Sequence, residues 1–167
     1  MGRPAQRKAK NDAALSPIAQ EDAVRKLIQT SAYLLDREEF AEWIDLYAEE
    51  SEYELVSDSP EIRERVTWWK ADRPELSRVL GQLREHVNDP ARRLHTVVPV
   101  RIEVAGESAT AVSHFAVFRT SPEGASHLYA VGRYEDVFVR RGERWFYAKH
   151  RAVMDTAMLD ALTHVPI

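Results

Sequence analysis

The sequence predicts an α+β fold: a cone-shaped, strongly curved antiparallel sheet, in which mixed pairing is allowed, closed by N-terminal helices. Apolar residues recur at helical spacing in the first half of the chain, whereas the second half contains four β-rich runs joined by short connections with Gly or Pro. Helices followed by hairpin-linked strands are typical of α+β domains. The length of 167 residues fits one such domain, which we expect to span residues 16–167.

Two helices are expected at the start of this domain. Ser16-Pro17 provides an N-cap and a proline at the first helical position, and the apolar spacing that follows predicts a helix over about 17–35. Asp36, with Glu39 three residues later, is similar to a capping box. The apolar residues after it recur at i, i+3, i+4 and i+7, which predicts a second, short helix over about 38–48.

The remaining predicted elements are a third helix and six strands. Residues 51–57 alternate as a strand, and the β-branched and aromatic residues within 61–70 favour a second one. Asp72-Arg73-Pro74 begins the third helix, and Asn88-Asp89-Pro90 ends it, because a residue before proline is pushed out of helical geometry. Four further strands are predicted at about 94–105, 109–120, 126–140 and 144–154, and the apolar residues after position 155 are expected to pack against the domain.

The strand predicted at 109–120 has apolar side chains on both of its faces. Ala116 and Phe118 lie on one face, and Phe115 and Val117 lie on the other. An antiparallel sheet with one face in water would instead alternate between apolar and polar residues. We therefore expect the chain's own helices to cover one face of the sheet and another subunit to cover the other.

The amino-acid composition excludes several classes of site. The sequence has no cysteine, which excludes disulfides, zinc–thiolate sites, a cysteine nucleophile and cysteine-ligated iron–sulfur clusters. Without disulfides, the cytoplasm is the expected location. No apolar run approaches the roughly 20 residues that span a bilayer, so no membrane segment is expected.

Charge is distributed unevenly along the chain. The formal net charge is -4, and residues 1–10 contain four cations and no acid, which leaves −8 for the rest of the chain. An acidic body argues against a nucleic-acid surface, for which a basic stripe is expected. Residues 1–15 lack the apolar core of a signal peptide and are expected to form a disordered, basic N-terminal tail.

Histidines on predicted strands are the candidates for acid–base chemistry. The sequence has six histidines, but no HExxH, HxH or HxxxH pair, no calcium-type acidic loop, no glycine-rich phosphate loop and no GxSxG motif. An inward-facing histidine could pair with Asp45 or Tyr47 of the second helix and move a proton on a small hydrophobic substrate. Structural or interface roles are commoner for lone histidines, so no catalytic, cofactor or metal site is assigned to this chain. The strand histidines are His95, His114 and His150.

Two further groups of residues have two interpretations each. Four tryptophans either line a pocket or anchor the core or an interface. Arginines of the last hairpin are interleaved with acidic residues, a mixture typical of either a solvated rim or a polar interface. The tryptophans are Trp43, Trp68, Trp69 and Trp145, and the acidic residues are Glu135, Asp136 and Glu143.

Four segments in a fixed order carry a family resemblance. Residues 34–47 are similar to an LDxxxFxxW helix corner followed by LY, and residues 92–98 are similar to an RxxHxV strand entry. Residues 131–145 are similar to a GxYxD hairpin that ends in tryptophan, and residues 155–167 form a hydrophobic ending. Over about 20–167, the chain thus resembles the β (small) subunits of aromatic-ring-hydroxylating dioxygenases, in the nuclear-transport-factor-2-like (NTF2-like) or SnoaL-like superfamily.

This resemblance implies a fold, a partner and the place of the cofactors. The implied fold is NTF2-like, or cystatin-like. The family's β subunits assemble with a larger α subunit, commonly as an α3β3 hexamer, so an α subunit and self-association as a trimer are the expected partners. The resemblance puts a Rieske [2Fe-2S] cluster and a mononuclear iron in the α subunit and leaves this chain structural. The absence of cysteine is consistent with it, because Rieske ligation needs two cysteines.

Two other functions stay open. The same superfamily includes stand-alone isomerases, dehydratases and cyclases that use acid–base residues on the concave face of the sheet. Convergence of two candidate groups in one solvent-accessible cavity favours such an enzyme; the candidates are Asp45, Tyr47, His95, His114 and His150. The last possibility is a ligand-binding or scaffold module without an oxygenase partner, which an adjacent dioxygenase α gene would contradict.

Overall fold

The described residues form three helices and a six-stranded sheet. The computed structural model describes residues 16–59, 64–86, 89–157, 159 and 165–167, so the tail predicted at 1–15 lies outside the described residues. In chain order the elements are α1 (Pro17–Asp36), α2 (Phe40–Ile44), β1 (Tyr47–Ser59), β2 (Glu64–Asp72), α3 (Arg73–His86), β3 (Arg92–Ala105), β4 (Ser108–Thr120), β5 (Ser126–Arg141) and β6 (Arg144–Met154).

The sheet is mixed and has the strand order β2-β1-β6-β5-β4-β3. All neighbouring strands pair antiparallel except β1 and β6, which run parallel. Helix α1 packs mainly against β3, and α3 packs against α2 and β1, so the helices lie over one face of the curled sheet. The predicted α+β class, with a curved sheet covered by N-terminal helices, is confirmed.

The second helix is shorter than predicted, because α2 ends at Ile44 rather than near position 48. Asp45 is its C-cap, and the Leu46 carbonyl accepts a hydrogen bond from the Tyr147 amide at 2.9 Å. This bond draws the chain alongside β6, so β1 begins at Tyr47 instead of near position 51. The last apolar position of the predicted helical stripe is therefore a buried tyrosine on a strand.

The hydrophobic core fills the space between the helices and the sheet. Trp43 is fully buried, and its Nε1 donates a hydrogen bond to Ser31 Oγ at 2.8 Å, which joins α2 to α1. Val165 and Ile167 belong to the same core, so the prediction that the hydrophobic ending packs against the domain is confirmed for these residues. The Ile167 amide donates to Tyr53 Oη at 3.0 Å, and Ile167 itself is 1% exposed. The chain thus closes its own interior at this point.

Candidate functional site

A histidine and an aspartate lie against each other in the interior of the domain. His150 of β6 is the direct pairing partner of Asp136 of β5, and side chains at directly opposite positions of an antiparallel pair share a face. His150 Nδ1 and Asp136 Oδ1 are 2.6 Å apart. Their side chains are 2% and 0% exposed. We call these two residues the interior pair.

Aromatic rings surround the interior pair. Five ring centroids lie between 4.7 and 6.5 Å from the centroid of the His150 imidazole. Helix α2 supplies a tryptophan, and strands β1, β5 and β6 supply tyrosines. This packing removes water from the pair, so burial acts on the protonation of every ionisable group nearby. The rings belong to Trp43, Tyr47, Tyr53, Tyr134 and Tyr147.

Burial is the largest influence on the pKa values in this cluster. It raises the pKa of Asp136, because the buried carboxylate loses its hydration, whereas attraction to His150 acts in the opposite direction. Burial also raises the pKa of three neighbouring tyrosines well above the ordinary value of a phenol, so their hydroxyls keep their protons at neutral pH. These are Tyr47, Tyr134 and Tyr147.

The interior pair is closed off from the surface. A His–Asp pair beside a hydroxyl group can move a proton, provided that a substrate reaches it. Three surface grooves formed by the described residues include neither Asp136 nor His150. The largest of the three, with a volume of about 890 Å³, is lined by residues that include Tyr47 and Arg73. Two interior atoms, Tyr47 Oη and Asp136 Oδ2, have no hydrogen-bond partner among the described residues.

A second His–Asp contact ties α1 to β3. Asp36 Oδ1 accepts a hydrogen bond from the His95 amide at 2.8 Å. The same oxygen lies 2.7 Å from His95 Nδ1. The His95 side chain is 0% exposed, and its Nε2 has no partner among the described residues. The predicted N-cap of the second helix is thus used elsewhere, since Glu39 is the N-cap of α2 and makes no side-chain capping bond. This contact fixes the entry of β3 beneath the end of α1.

The structure brings together only two of the five candidate acid–base residues within the described part of the chain. Tyr47 and His150 have ring centroids 6.3 Å apart. The Asp45 side chain is 73% exposed and bonds to Arg73 at 3.1 Å, so the expected contact between Asp45 and a strand histidine is not formed. His114 is exposed on β4, and the buried histidine of β3 has Asp36 as its partner.

Sequence reasoning finds neither partner of the buried histidines: Asp36, which it assigns to a helix cap, and Asp136. Asp136 is interpreted from the sequence as a rim or interface charge, but it is buried and bonds to His150. The hairpin register could have indicated this contact to within one residue. Counting back from the pair Arg141–Arg144 puts position 136 opposite position 149, next to His150. A register shift between Val137 and Phe138 moves it one residue further, onto the histidine.

The four tryptophans divide between core and surface. Trp43 and Trp145 are buried, which supports the core interpretation. Trp69 is partly buried, with its ring centroid 5.2 Å from that of Tyr53. Trp68 is 43% exposed on β2, and its Nε1 donates to a serine hydroxyl of β1 at 2.9 Å. None of the four lines any of the three surface grooves described above.

The outer face of the sheet carries a network of ion pairs across β2, β1, β6 and β5. Glu54 is its centre, since it contacts Arg151, Lys149 and Lys70 at distances of 2.5 to 3.3 Å. Burial alone would raise the pKa of Glu54, but these hydrogen bonds outweigh it and lower the pKa to about 2. The network contains the cations Arg65, Lys70, Arg133, Lys149 and Arg151 and the carboxylates Glu52, Glu54, Asp58 and Glu135.

Two kinds of feature are absent from the described residues. They contain no group of three or more His, Asp or Glu side chains arranged to hold a metal ion. No helix among them is both long enough and apolar enough to cross a membrane.

Known proteins resemble the chain over most of its length. Residues 16–151 match the SnoaL-like domain family. The β subunit of methanesulfonate monooxygenase hydroxylase from Methylosulfonomonas methylovora is 30% identical over 156 residues, covering 87% of this chain and 86% of that protein. The β subunit of 2-aminobenzenesulfonate 2,3-dioxygenase from an Alcaligenes species is 24% identical over 146 residues, covering 87% and 97%. A solved structure from Novosphingobium aromaticivorans, assigned as an aromatic-ring-hydroxylating dioxygenase β subunit, shares the fold with a TM-score of 0.79 at 21% identity, covering 90% of this chain and 99% of that one.

Proposed function

The chain belongs to the SnoaL-like family and within it to the oxygenase β subunits, and on this basis we propose that it is the structural small subunit of an aromatic-ring-hydroxylating dioxygenase. It would support an α subunit that carries out the dihydroxylation. Of the two relatives described above, one belongs to a monooxygenase and the other to a dioxygenase, so what they share is the β-subunit role rather than one reaction.

The observation that carries this proposal is the closed interior. The acid–base groups that a stand-alone SnoaL-like enzyme would use are Asp136 and His150, and both are buried beneath aromatic rings. In contrast, the outer face of the sheet exposes large apolar side chains such as Leu94 and Leu128. A closed interior together with exposed apolar side chains on part of the outer face fits a subunit whose task is assembly.

The cofactors belong in the partner under this proposal. A Rieske cluster needs two cysteines and two histidines, and this sequence has no cysteine. In the described residues, His95 and His150 each contact a single carboxylate, and no 2-His-1-carboxylate set of a mononuclear iron site is formed. We therefore expect both iron centres in the α subunit, and we expect the assembly to form in the cytoplasm with three copies of each chain.

The test is recovery of the partner from the native host. The full chain, carrying an affinity tag, should retain a larger subunit whose peptides contain the Rieske cysteines and histidines and whose absorbance shows an iron–sulfur cluster. Light scattering of the complex then gives its stoichiometry, with α3β3 expected. A chain that stays monomeric and retains no such subunit contradicts the proposal.

A second function is favoured by one observation, the contact of His150 with Asp136 next to the ring of Tyr47. These are the acid–base groups that a SnoaL-like isomerase, dehydratase or cyclase would use on a small hydrophobic substrate. Such an enzyme would work without a partner, so the isolated chain would turn over its substrate. The assembly role instead predicts that the isolated chain turns over no such substrate.

A further inference from the structure

The half of the outer face that lies on β3, β4 and β5 is apolar. Cross-strand pairing puts Leu94 beside Phe118, and Phe118 beside Leu128, in one row. The next two rows add smaller apolar residues on the same face. We call the apolar members of these three rows the outer patch: Leu94, Val98, Ala116, Phe118, Leu128 and Val131.

The large side chains of the outer patch are open to solvent. Leu94, Val98 and Leu128 are 57%, 55% and 54% exposed, and Phe118 is 38% exposed. Large apolar side chains that are contiguous on a surface mark interaction sites, whereas single scattered ones are ordinary. The helices pack on the other face of the sheet, and no described element covers this one.

The border of the outer patch is basic. Arg92 precedes it on β3, and His114 and Arg133 lie in the row that contains Val98. The twelve outer-face positions from the row of Arg92 to the row of Arg133 contain no carboxylate. Arg133 is already bonded to carboxylates of the ion-pair network, whereas Arg92 forms no ion pair with another described residue.

We propose that the outer patch is the docking surface for the α subunit, which meets it with a surface that is apolar at the centre and acidic at the border. This inference rests on the function proposed above and adds the location and the chemistry of the contact. The apolar centre would supply most of the binding free energy, because aromatic and aliphatic side chains are desolvated there. The border cations would steer the partner and set its orientation.

Two kinds of contact with a second copy of this chain are the alternatives to docking of the α subunit. A threefold contact, as in the expected trimer, would set the outer patch against a different surface of the next copy, and light scattering of the variants distinguishes it from docking of the α subunit. Charge argues against a twofold contact, because two copies joined through the outer patch would bring one basic border against another, and like charges across an interface are costly. The ion-pair network on the other half of the same face offers no carboxylate to relieve this, because its carboxylates are bonded within the network. A partner with its own acidic border removes the penalty.

The test measures binding of the full chain to the α subunit recovered from the native host, identified by its peptides and its iron–sulfur absorbance. Phe118→Asp and Leu128→Asp put a charge into the centre of the outer patch and should weaken binding at least about 30-fold, as loss of a central anchor does. Arg92→Glu should weaken binding about tenfold and reduce its dependence on salt. Val66→Asp is the matched control, since Val66 is 40% exposed on β2, and it should bind within about twofold of the unchanged chain.

Circular dichroism and the melting temperature of each variant confirm that it is folded. The proposal is wrong if folded Phe118→Asp and Leu128→Asp bind the α subunit as the unchanged chain does. It is also wrong if these variants change only the self-association of the chain in light scattering, because the patch would then belong to a second copy. If the unchanged chain retains no α subunit at all, the proposed function itself fails, and with it this inference.

Discussion

His150 Nδ1 lies 2.6 Å from Asp136 Oδ1 across the β5–β6 pair, and both side chains are shut away from solvent. A buried pair of this kind is held by mutual attraction against a large desolvation cost. Its members depend on each other, since either one alone would be an unpaired polar group in an aromatic interior. The pair therefore behaves as one structural unit of the sheet.

Removal of one member of the interior pair should destabilise the chain strongly. Asp136→Ala leaves the His150 imidazole without its partner, and we expect the free energy of unfolding to fall by about 3–5 kcal/mol. Replacement of both residues by apolar ones, Asp136→Leu with His150→Leu, should cost less than the single change, because no unpaired polar group remains. Urea unfolding of the two variants checks this, and an equal or larger loss in the double variant would contradict it.

The sequence was sufficient to predict the helices and hairpins because their signals are local. Ser16 accepts a hydrogen bond from the Ala19 amide, as an N-cap does, and glycines such as Gly142 adopt the positive φ that tight connections need. The parallel pairing of β1 with β6 has no local signal. It joins Glu52 to Lys149, which are 97 positions apart, and depends on how the whole sheet curls.

The histidines show where the same reasoning stops for the candidate site. That His150 faces inward is compatible with a strand pattern, but its partner is set by an extra residue between the two pairings Val137–Lys149 and Phe138–Tyr147. Irregularities of this kind depend on packing that a single sequence does not display. The contact of Asp36 with His95 is equally unpredictable from the sequence. The local pattern around Asp36 fits a helix cap, and only the long-range packing of the chain shows that its carboxylate binds the start of β3 instead.

Glu54 should make the stability of the chain sensitive to acid. Its carboxyl has a folded-state pKa of about 2 against 4.5 when unfolded, so its contribution is complete above pH 4.5 and is lost as the pH falls toward 2. Glu54→Gln should lower the free energy of unfolding at pH 7 by about 1–2 kcal/mol, a value reduced for the solvent around its lysine partners. The difference from the unchanged chain should shrink on going from pH 7 to pH 3.

Urea unfolding at pH 7, 4 and 3 measures this difference. Glu103→Gln is the control, since Glu103 is 59% exposed and pairs only with Arg101 in the described residues, and it should change stability little at any of these pH values. A loss on Glu54→Gln that stays the same at pH 7 and pH 3 would show that the carboxylate charge is not what stabilises the folded chain.

Ile167 should stabilise the domain from the end of the described chain. Its side chain is 1% exposed, so Ile167→Ala should lower the free energy of unfolding by about 2–5 kcal/mol through lost burial and a new cavity. Tyr53→Phe removes the acceptor of the Ile167 amide and should cost about 1 kcal/mol. Thermal unfolding tests both variants, with Val66→Ala at a half-exposed position as the control. If Ile167→Ala has the same melting temperature as Val66→Ala, Ile167 does not stabilise the core as proposed.

Gly132 should tolerate no side chain. A Cβ at this position would lie 2.1 Å from the Val153 carbonyl oxygen and 2.9 Å from Phe115 Cζ, and the carbonyl belongs to the neighbouring strand and has no freedom to move aside. We expect Gly132→Ala to lower the free energy of unfolding by about 3 kcal/mol or more, or to prevent folding.

Gly81→Ala is the matched control: nothing lies within 4 Å of a Cβ at this exposed position of α3, so the added methyl should stabilise the helix by about 0.5–1 kcal/mol. A lower melting temperature for Gly132→Ala and a higher one for Gly81→Ala are the expected results. An unchanged or higher melting temperature for Gly132→Ala would contradict the close approach of β5 and β6 at this position.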